Sequence, residues 1–167
     1  GRDLVTASAL LDLASPGWIA TLARECRAQG AAALFTISYD GRSTCLPAEA
    51  EDGTVLNLFN RHQRSNTGIG GTAAGPDAAA MAADAFTAAG YRVTRAASDW
   101  RLDERHADLQ RRLLEGWAEA ASEVDPDAAG AIEGWLTRRL AHIAAGRSRL
   151  IVSHERSEEH TSELQSP

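Results

Sequence analysis

Two stretches decide how this chain reads: DLVTASALLDL, residues 3–13, and ALFTISYDG, residues 33–41. Each opens on apolar and β-branched residues and closes on small or polar ones. That is the pattern of a buried strand turning into a loop. The segment between them reads as a helix. Ser15-Pro16 is a start signal, with Ser as cap and Pro at the first position. Trp18, Ile19, Leu22, Ala23 and Cys26 then share one face, and Gly30 ends the helix. Asp40-Gly41 is a tight-turn signal, so RSTCL (42–46) is expected to fold back as a short hairpin arm.

Working outward, Pro47 breaks the pattern, and a helix over about 49–64 places Val55, Phe59 and His62 on one face. SNTGIGGTAAGP (65–76) is expected to be a flexible loop near a substrate mouth. An alanine-rich helix over 77–89 stops at Gly90. YRVTRAASDWRL (91–102) reads as one strand near a sheet edge, because its arginines alternate. Two helices follow at about 103–123 and 126–145, punctuated by Asp125-Pro126. Leu109, Leu113, Trp117 and Ala121 form one stripe; Ile132, Trp135, Leu136, Leu140 and Ile143 form the other. SRLIVSH (148–154) is the last strand. Strands alternating with helices argue an α/β sheet with helices on its faces, without internal repeat or domain boundary.

Composition supports this reading. A chain of 167 residues that is 44% hydrophobic builds one domain with a real core. A net charge of -6 argues against a nucleic-acid or polybasic membrane role, and no apolar run approaches bilayer-spanning length. All 17 basic residues are arginine, which points to a GC-rich coding sequence. Cys26 and Cys45 stand alone, which fits two free thiols in a reducing cytoplasm.

The tail is different in kind. RSEEHTSELQSP (156–167) follows directly on an apolar strand, and Arg156 to Ser166 resembles the translation of a sequencing-library adapter. It is expected to be a disordered, artefactual tail outside a domain of residues 1–155. A frame running into adapter implies a short DNA fragment, so the start at Gly1 is expected to be a truncation.

The order of segments resembles class I S-adenosylmethionine-dependent methyltransferases. DLVTASALLDL, the helix ending in Gly, and ALFTISYDG look like that family's fourth strand, fourth helix and fifth strand. AFTAAGYRVTRAASDWRL (85–102) looks like its segment leading into the sixth strand, and SRLIVSHE (148–155) like its seventh. The resemblance covers residues 2–155. It implies the C-terminal half of a Rossmann-like sheet, fourth to seventh strands, with the last strand antiparallel and an inserted helix pair at 103–145. It also implies that the glycine-rich turn and the ribose-binding acid precede Gly1. NTGIGGTAAG (66–75) does not replace that turn: it follows a helix, no acid precedes its glycines, and its spacing is not G-x-G-x-x-G.

Ligands of open α/β sheets bind beyond the carboxyl ends of the strands. This makes Thr6, Ala7 and Ser8 candidates for contact with S-adenosylmethionine, although Ser8 also reads as a helix cap. Tyr39 is a substrate-pocket candidate, whereas Asp40 reads first as a turn former. The run NRHQR (60–64) is the most chemically loaded. His62 is the candidate general base, since imidazole titrates near neutrality. Asn60 and Gln63 suit orienting a polar substrate, and Arg61 suits clamping a carboxylate or phosphate. Asp99 and Trp100 read as structural. His106, His142 and His154 are isolated, and no pair has metal-ligand spacing on a helix, so no metal is expected.

The expected function is methyl transfer from S-adenosylmethionine to a small-molecule substrate by the intact enzyme, this fragment being inactive. Two alternatives stand. A non-catalytic interaction module would expose Trp117 and Trp135. Another nucleotide-binding α/β enzyme, such as a dehydrogenase, would show an all-parallel sheet. The oligomeric state and the methylated atom are not encoded legibly.

Overall fold

The first long helix is set by its caps as well as by its apolar spacing. The computed structural model describes residues 3–161. Helix α1 (Pro16–Gln29) starts where Ser15 Oγ accepts from the Trp18 amide, and it ends at Gly30 in the left-handed conformation. The other helices are α2 (Asp52–Ser65), α3 (Ala78–Ala88), α4 (Ala107–Val124) and α5 (Ala129–Ala144). The strands are β1 (Leu4–Ser8), β2 (Ala32–Leu46), β3 (Thr67–Gly68), β4 (Gly71–Thr72), β5 (Tyr91–Ala97), β6 (Trp100–Leu102) and β7 (Arg149–Thr161).

The fold is α/β with a mixed sheet. Its strand order is β1-β2-β7-β5, with β6 also pairing β7. β1 and β2 are parallel, in the register Leu4↔Ala32 to Ser8↔Thr36. The last strand, β7, runs antiparallel to both β5 and β6. β5 lies at the end of the strand order, the edge position that its alternating arginines predict.

The described chain divides into two compact units, where the sequence showed no boundary. One comprises Gly1–Asp40, Gln63–Ser98 and His154–Pro167; the other comprises Gly41–His62 and Asp99–Ser153. The divisions fall inside β2, α2 and β7 and between β5 and β6, where no change of composition marks them. In the first unit, α1 and α3 cover the sheet. Ile19, Ala23 and Cys26 of α1 pack with Ala33 and Phe35 of β2 and with Ala78, Ala82 and Phe86 of α3. The rings of Phe35, Phe86 and Tyr91 meet edge to face, with centroids 5.5 and 5.1 Å apart. In the second unit, α4 and α5 pack against each other.

Several expectations are corrected. Asp40-Gly41 makes no hairpin: β2 is one strand through Leu46. Gly41 does take φ 85°, but the Asn60 amide donates to its carbonyl at 2.8 Å, so the residue kinks a strand rather than closing a turn. The strand expected over 91–102 is broken at Ser98 and Asp99 into β5 and β6.

The stripe on α4 holds at Trp117 and Ala121 and is shifted by one residue only in its first half. Gln110, Leu114, Trp117 and Ala121 are buried, while Leu109 is exposed. Gln110 can be buried because its amide is satisfied: it donates to Asp103 O at 2.6 Å and accepts from Ser148 Oγ at 2.6 Å. The α5 stripe likewise includes Arg139, a position that the apolar pattern skips.

The glycine-rich segment is a small antiparallel hairpin, not a loose loop. Ile69 N–H donates to Leu13 O, Ser15 N–H to Ile69 O, and Ala74 N–H to Ala14 O, all at 2.8–2.9 Å. A Cβ on Gly68 would stand 2.1 Å from Leu13 O, so glycine is what lets the two backbones meet.

The strand β7 also runs past the expected boundary at residue 155. Arg156 to Thr161 continue it, paired with β5 from Ala96 back to Tyr91. The remainder of the tail lies outside the described residues.

Candidate functional site

In the first unit the carboxyl end of β1 bears Thr6, Ala7 and Ser8, the three residues that the sequence singles out. Alternation along the strand turns Val5 and Ala7 toward the core and leaves Thr6 and Ser8 exposed. Of the three residues expected at the donor, Thr6 and Ser8 are therefore exposed and Ala7 packs against the core. Ala9 follows at φ 50°, tied by its N–H to Thr36 O at 3.0 Å. On β2, Ile37 sits at φ 55°. A β-branched residue in the left-handed region is strained, and such strain is found preferentially at functional segments.

Just beyond, Asp12 stands in a short 3-10 turn (Leu11–Leu13). Its Oδ1 is buried without a hydrogen-bond partner among the described residues. Burial pushes its carboxyl above the ordinary aspartate range, opposed by its own backbone amide, the His154 charge and the Leu13 amide. His154 is buried, and its ring meets Tyr39 edge to face at 6.1 Å. Tyr39, the expected pocket residue, thus stands beside a histidine that sequence reading set aside. Asp12 was missed as well. Its signal was a lone acid inside the apolar run LLDL.

The NRHQR run does not act as one cluster. Asn60 is buried and spent on Gly41. Arg61 is exposed, and Gln63 is half-buried in the first unit. Arg64 pairs with Asp77, its Nε at 2.7 Å, and this lowers the Asp77 carboxyl and raises the guanidinium. His62 lies in the second unit with Nε2 3.0 Å from Glu123. A carboxylate partner fixes an imidazole's tautomer and orientation, the arrangement a general base needs.

The second unit holds a network that the sequence did not announce. Arg139 is fully buried and donates through Nε to Asp52 at 3.0 Å and through Nη1 to Pro47 O at 2.6 Å. Its other nitrogen also reaches Asp52. Trp135 Nε1 donates to the same carboxylate. Glu49 lies 2.7 Å from His142 Nε2 and accepts from Arg138 Nε at 2.8 Å, and these contacts, His142 first, hold its carboxyl below the usual range. Beside Asp52 is a cavity of about 70 Å3 lined by Ser43, Cys45, Leu56, Trp117 and Trp135. Ser43 Oγ is buried there without a hydrogen-bond partner among the described residues. Benzene needs a cavity of about 150 Å3, so this one suits a group of a few heavy atoms.

Trp117 and Trp135 are both buried rather than exposed. Among the described residues no group of three or more His, Cys, Asp or Glu side chains is placed to hold a metal ion. Among the same residues no helix is long and apolar enough to cross a membrane.

No family model matches the chain, and no curated protein matches it. Among solved structures it is similar to the cyclopropane synthase MmaA2 from Mycobacterium tuberculosis, at 14% identity and a TM-score of 0.34. That likeness covers 94% of this chain and 55% of the other, so the chain spans little more than half the length of that protein.

Proposed function

We propose that this chain is the acceptor-side half of an S-adenosylmethionine-dependent methyltransferase acting on a small molecule. The observation that carries the reading is the antiparallel last strand, β7, in a sheet whose β1–β2 pair is parallel. A dehydrogenase-like all-parallel sheet is not what these strands make. The buried tryptophans give no support to an interaction module built on them.

The residues present fit a polar donor at the end of β1, where the Thr6 and Ser8 hydroxyls are exposed. When bound, that donor supplies a sulfonium methyl group open to in-line attack. The protein's contribution is to orient the acceptor and remove its proton. Two groups suit the second task. Asp12 has a buried oxygen with no hydrogen-bond partner among the described residues, and His62 has its imidazole held by Glu123. In this reading the glycine-rich turn and the ribose-binding acid belong to sequence ahead of Gly1.

The test is to recover the coding sequence upstream of Gly1 and titrate the intact protein with S-adenosylmethionine by calorimetry. Saturable binding, with release of S-adenosylhomocysteine over an acceptor panel, is expected. Asp12→Asn and His62→Asn then separate the two bases: the true one loses kcat while donor affinity holds. An intact protein that does not bind the donor overturns the reading.

A further inference from the structure

The cavity beside Asp52 lies within the second unit and takes no part in the transfer proposed above. Four elements build its walls. Ser43 and Cys45, two apart on β2, share one face of that strand. Asp52 and Leu56, four apart on α2, share one face of that helix. Trp117 of α4 and Trp135 of α5 supply the aromatic walls. Both rings are held in place. Trp135 Nε1 donates to Asp52 at 2.7 Å, and the Trp117 ring lies 5.7 Å from the Phe59 ring between centroids. Walls that are already held need little ordering when the space is filled. Gly53, also on the wall, is exposed and leaves a way in from solvent.

The chemistry of this lining is neutral. Asp52 carries a carboxylate, but its acceptor capacity is spent. Oδ1 accepts from Trp135 Nε1 and Arg139 Nε, and Oδ2 accepts from Arg139 Nη2 and the Glu49 amide. Those donors fill the lone-pair positions of a carboxylate, and the Arg139 guanidinium balances its charge. Cys45 is a protonated thiol, pushed up by burial. An ion entering here would meet no uncompensated charge of opposite sign.

One polar group is left over. Ser43 Oγ is buried with no hydrogen-bond partner among the described residues. A buried hydroxyl without a partner is costly. A serine side chain turns among staggered positions, so one that lines a cavity can meet an occupant there. Leu56 and the two indoles make the rest of the lining apolar. By the measure of a benzene ring in about 150 Å3, a cavity of about 70 Å3 takes about three heavy atoms. We infer that this cavity is a binding site for a neutral alcohol of two or three carbons, with its oxygen on Ser43 Oγ and its carbons between Trp117 and Trp135. The inference is independent of the methyltransferase reading.

The experiment follows the indole N–H signals of the four tryptophans in the isotope-labelled full chain by NMR. The probes are ethanol, its apolar isostere propane, ethylammonium and acetate. So small a ligand binds no tighter than roughly 1 mM. Ethanol is expected to shift the Trp117 and Trp135 signals saturably, with a Kd of about 1–20 mM, while Trp18 and Trp100, which do not line the cavity, stay still. Propane is expected to bind about tenfold more weakly, and the two ions not measurably. Ser43→Ala is expected to weaken ethanol about tenfold and leave propane unchanged. Cys45→Leu, which fills the space from β2, is expected to abolish binding of both. The absence of any saturable shift, the result for a cavity that holds water only, overturns the inference. So do equal shifts at Trp18 and Trp100, an ion that binds as well as ethanol, or an ethanol affinity that survives Ser43→Ala.

Discussion

Trp135 Nε1 and Arg139 Nε both donate to one oxygen of Asp52, at 2.7 and 3.0 Å. One carboxylate therefore neutralises a fully buried guanidinium and satisfies a buried indole, tying the start of α2 to α5. Replacing Asp52 with Ala leaves the Arg139 charge buried and unpaired, and is expected to cost about 3–5 kcal/mol in denaturant unfolding. The double variant Asp52→Ala/Arg139→Met removes both charges and is expected to recover most of that loss. A double variant no more stable than Asp52→Ala would show that the pair does more than balance charge.

Glu159 gives the fold a pH dependence of defined sign. Its carboxyl is raised from an ordinary 4.5 to about 7, with burial the largest cause. The folded chain therefore holds a proton that the unfolded chain releases, and stability falls as pH rises from about 4.5 to about 7, then levels off. The full loss is about 3 kcal/mol. Denaturation at pH 5 and pH 8 measures it, above the range in which Asp77, whose carboxyl is lowered by Arg64, loses its contribution. Asp12, also raised, adds to the loss in the same direction. Glu159→Leu is expected to remove the Glu159 share and leave the rest.

Cys45 is expected to be inert. Burial pushes its thiol up to about 12, against a lowering by the Arg139 charge. At pH 8 almost no thiolate is present, and the thiolate is the reactive form. Iodoacetamide should leave Cys45 unmodified in the native chain and label it promptly in denaturant. Native labelling on the denatured timescale would contradict the burial described.

The strand β1 ends the described strand order and exposes Leu4 by 60%. An apolar edge with unpaired backbone groups invites pairing between copies. Light scattering of the chain is expected to show concentration-dependent association, and Leu4→Lys is expected to suppress it without lowering the melting temperature. Unchanged scattering in that variant would place the contact elsewhere.

What was legible in the sequence was what local chemistry decides. Ser15-Pro16 and Gly30 bracket α1 because capping is a property of a few adjacent residues. The two helices after Asp103 were legible because their apolar spacing is long. What was not legible depended on distant partners. Nothing near Gly41 says that Asn60 will hold its carbonyl, and nothing near Gln110 says that Ser148 will satisfy it. Nothing near Arg139 says that Asp52, 87 positions away, will take its charge. At the candidate site, strand-end logic pointed to Thr6, Ala7, Ser8 and Tyr39. It passed over Asp12 and His154, whose significance lies in burial that no short window of sequence reveals.

The hairpin over residues 67–72 carries one more consequence. Glycine-rich connections are where proteases usually enter, because cleavage requires several residues to unwrap into an extended form. Here the amides of Ile69, Ala73 and Ala74 are already engaged, and Gly68 lies against the Leu13 carbonyl. Unwrapping the segment means pulling it off the start of α1. A protease offered the native chain should therefore spare the stretch richest in glycine, and resistance there would report that the β1–α1 connection is intact.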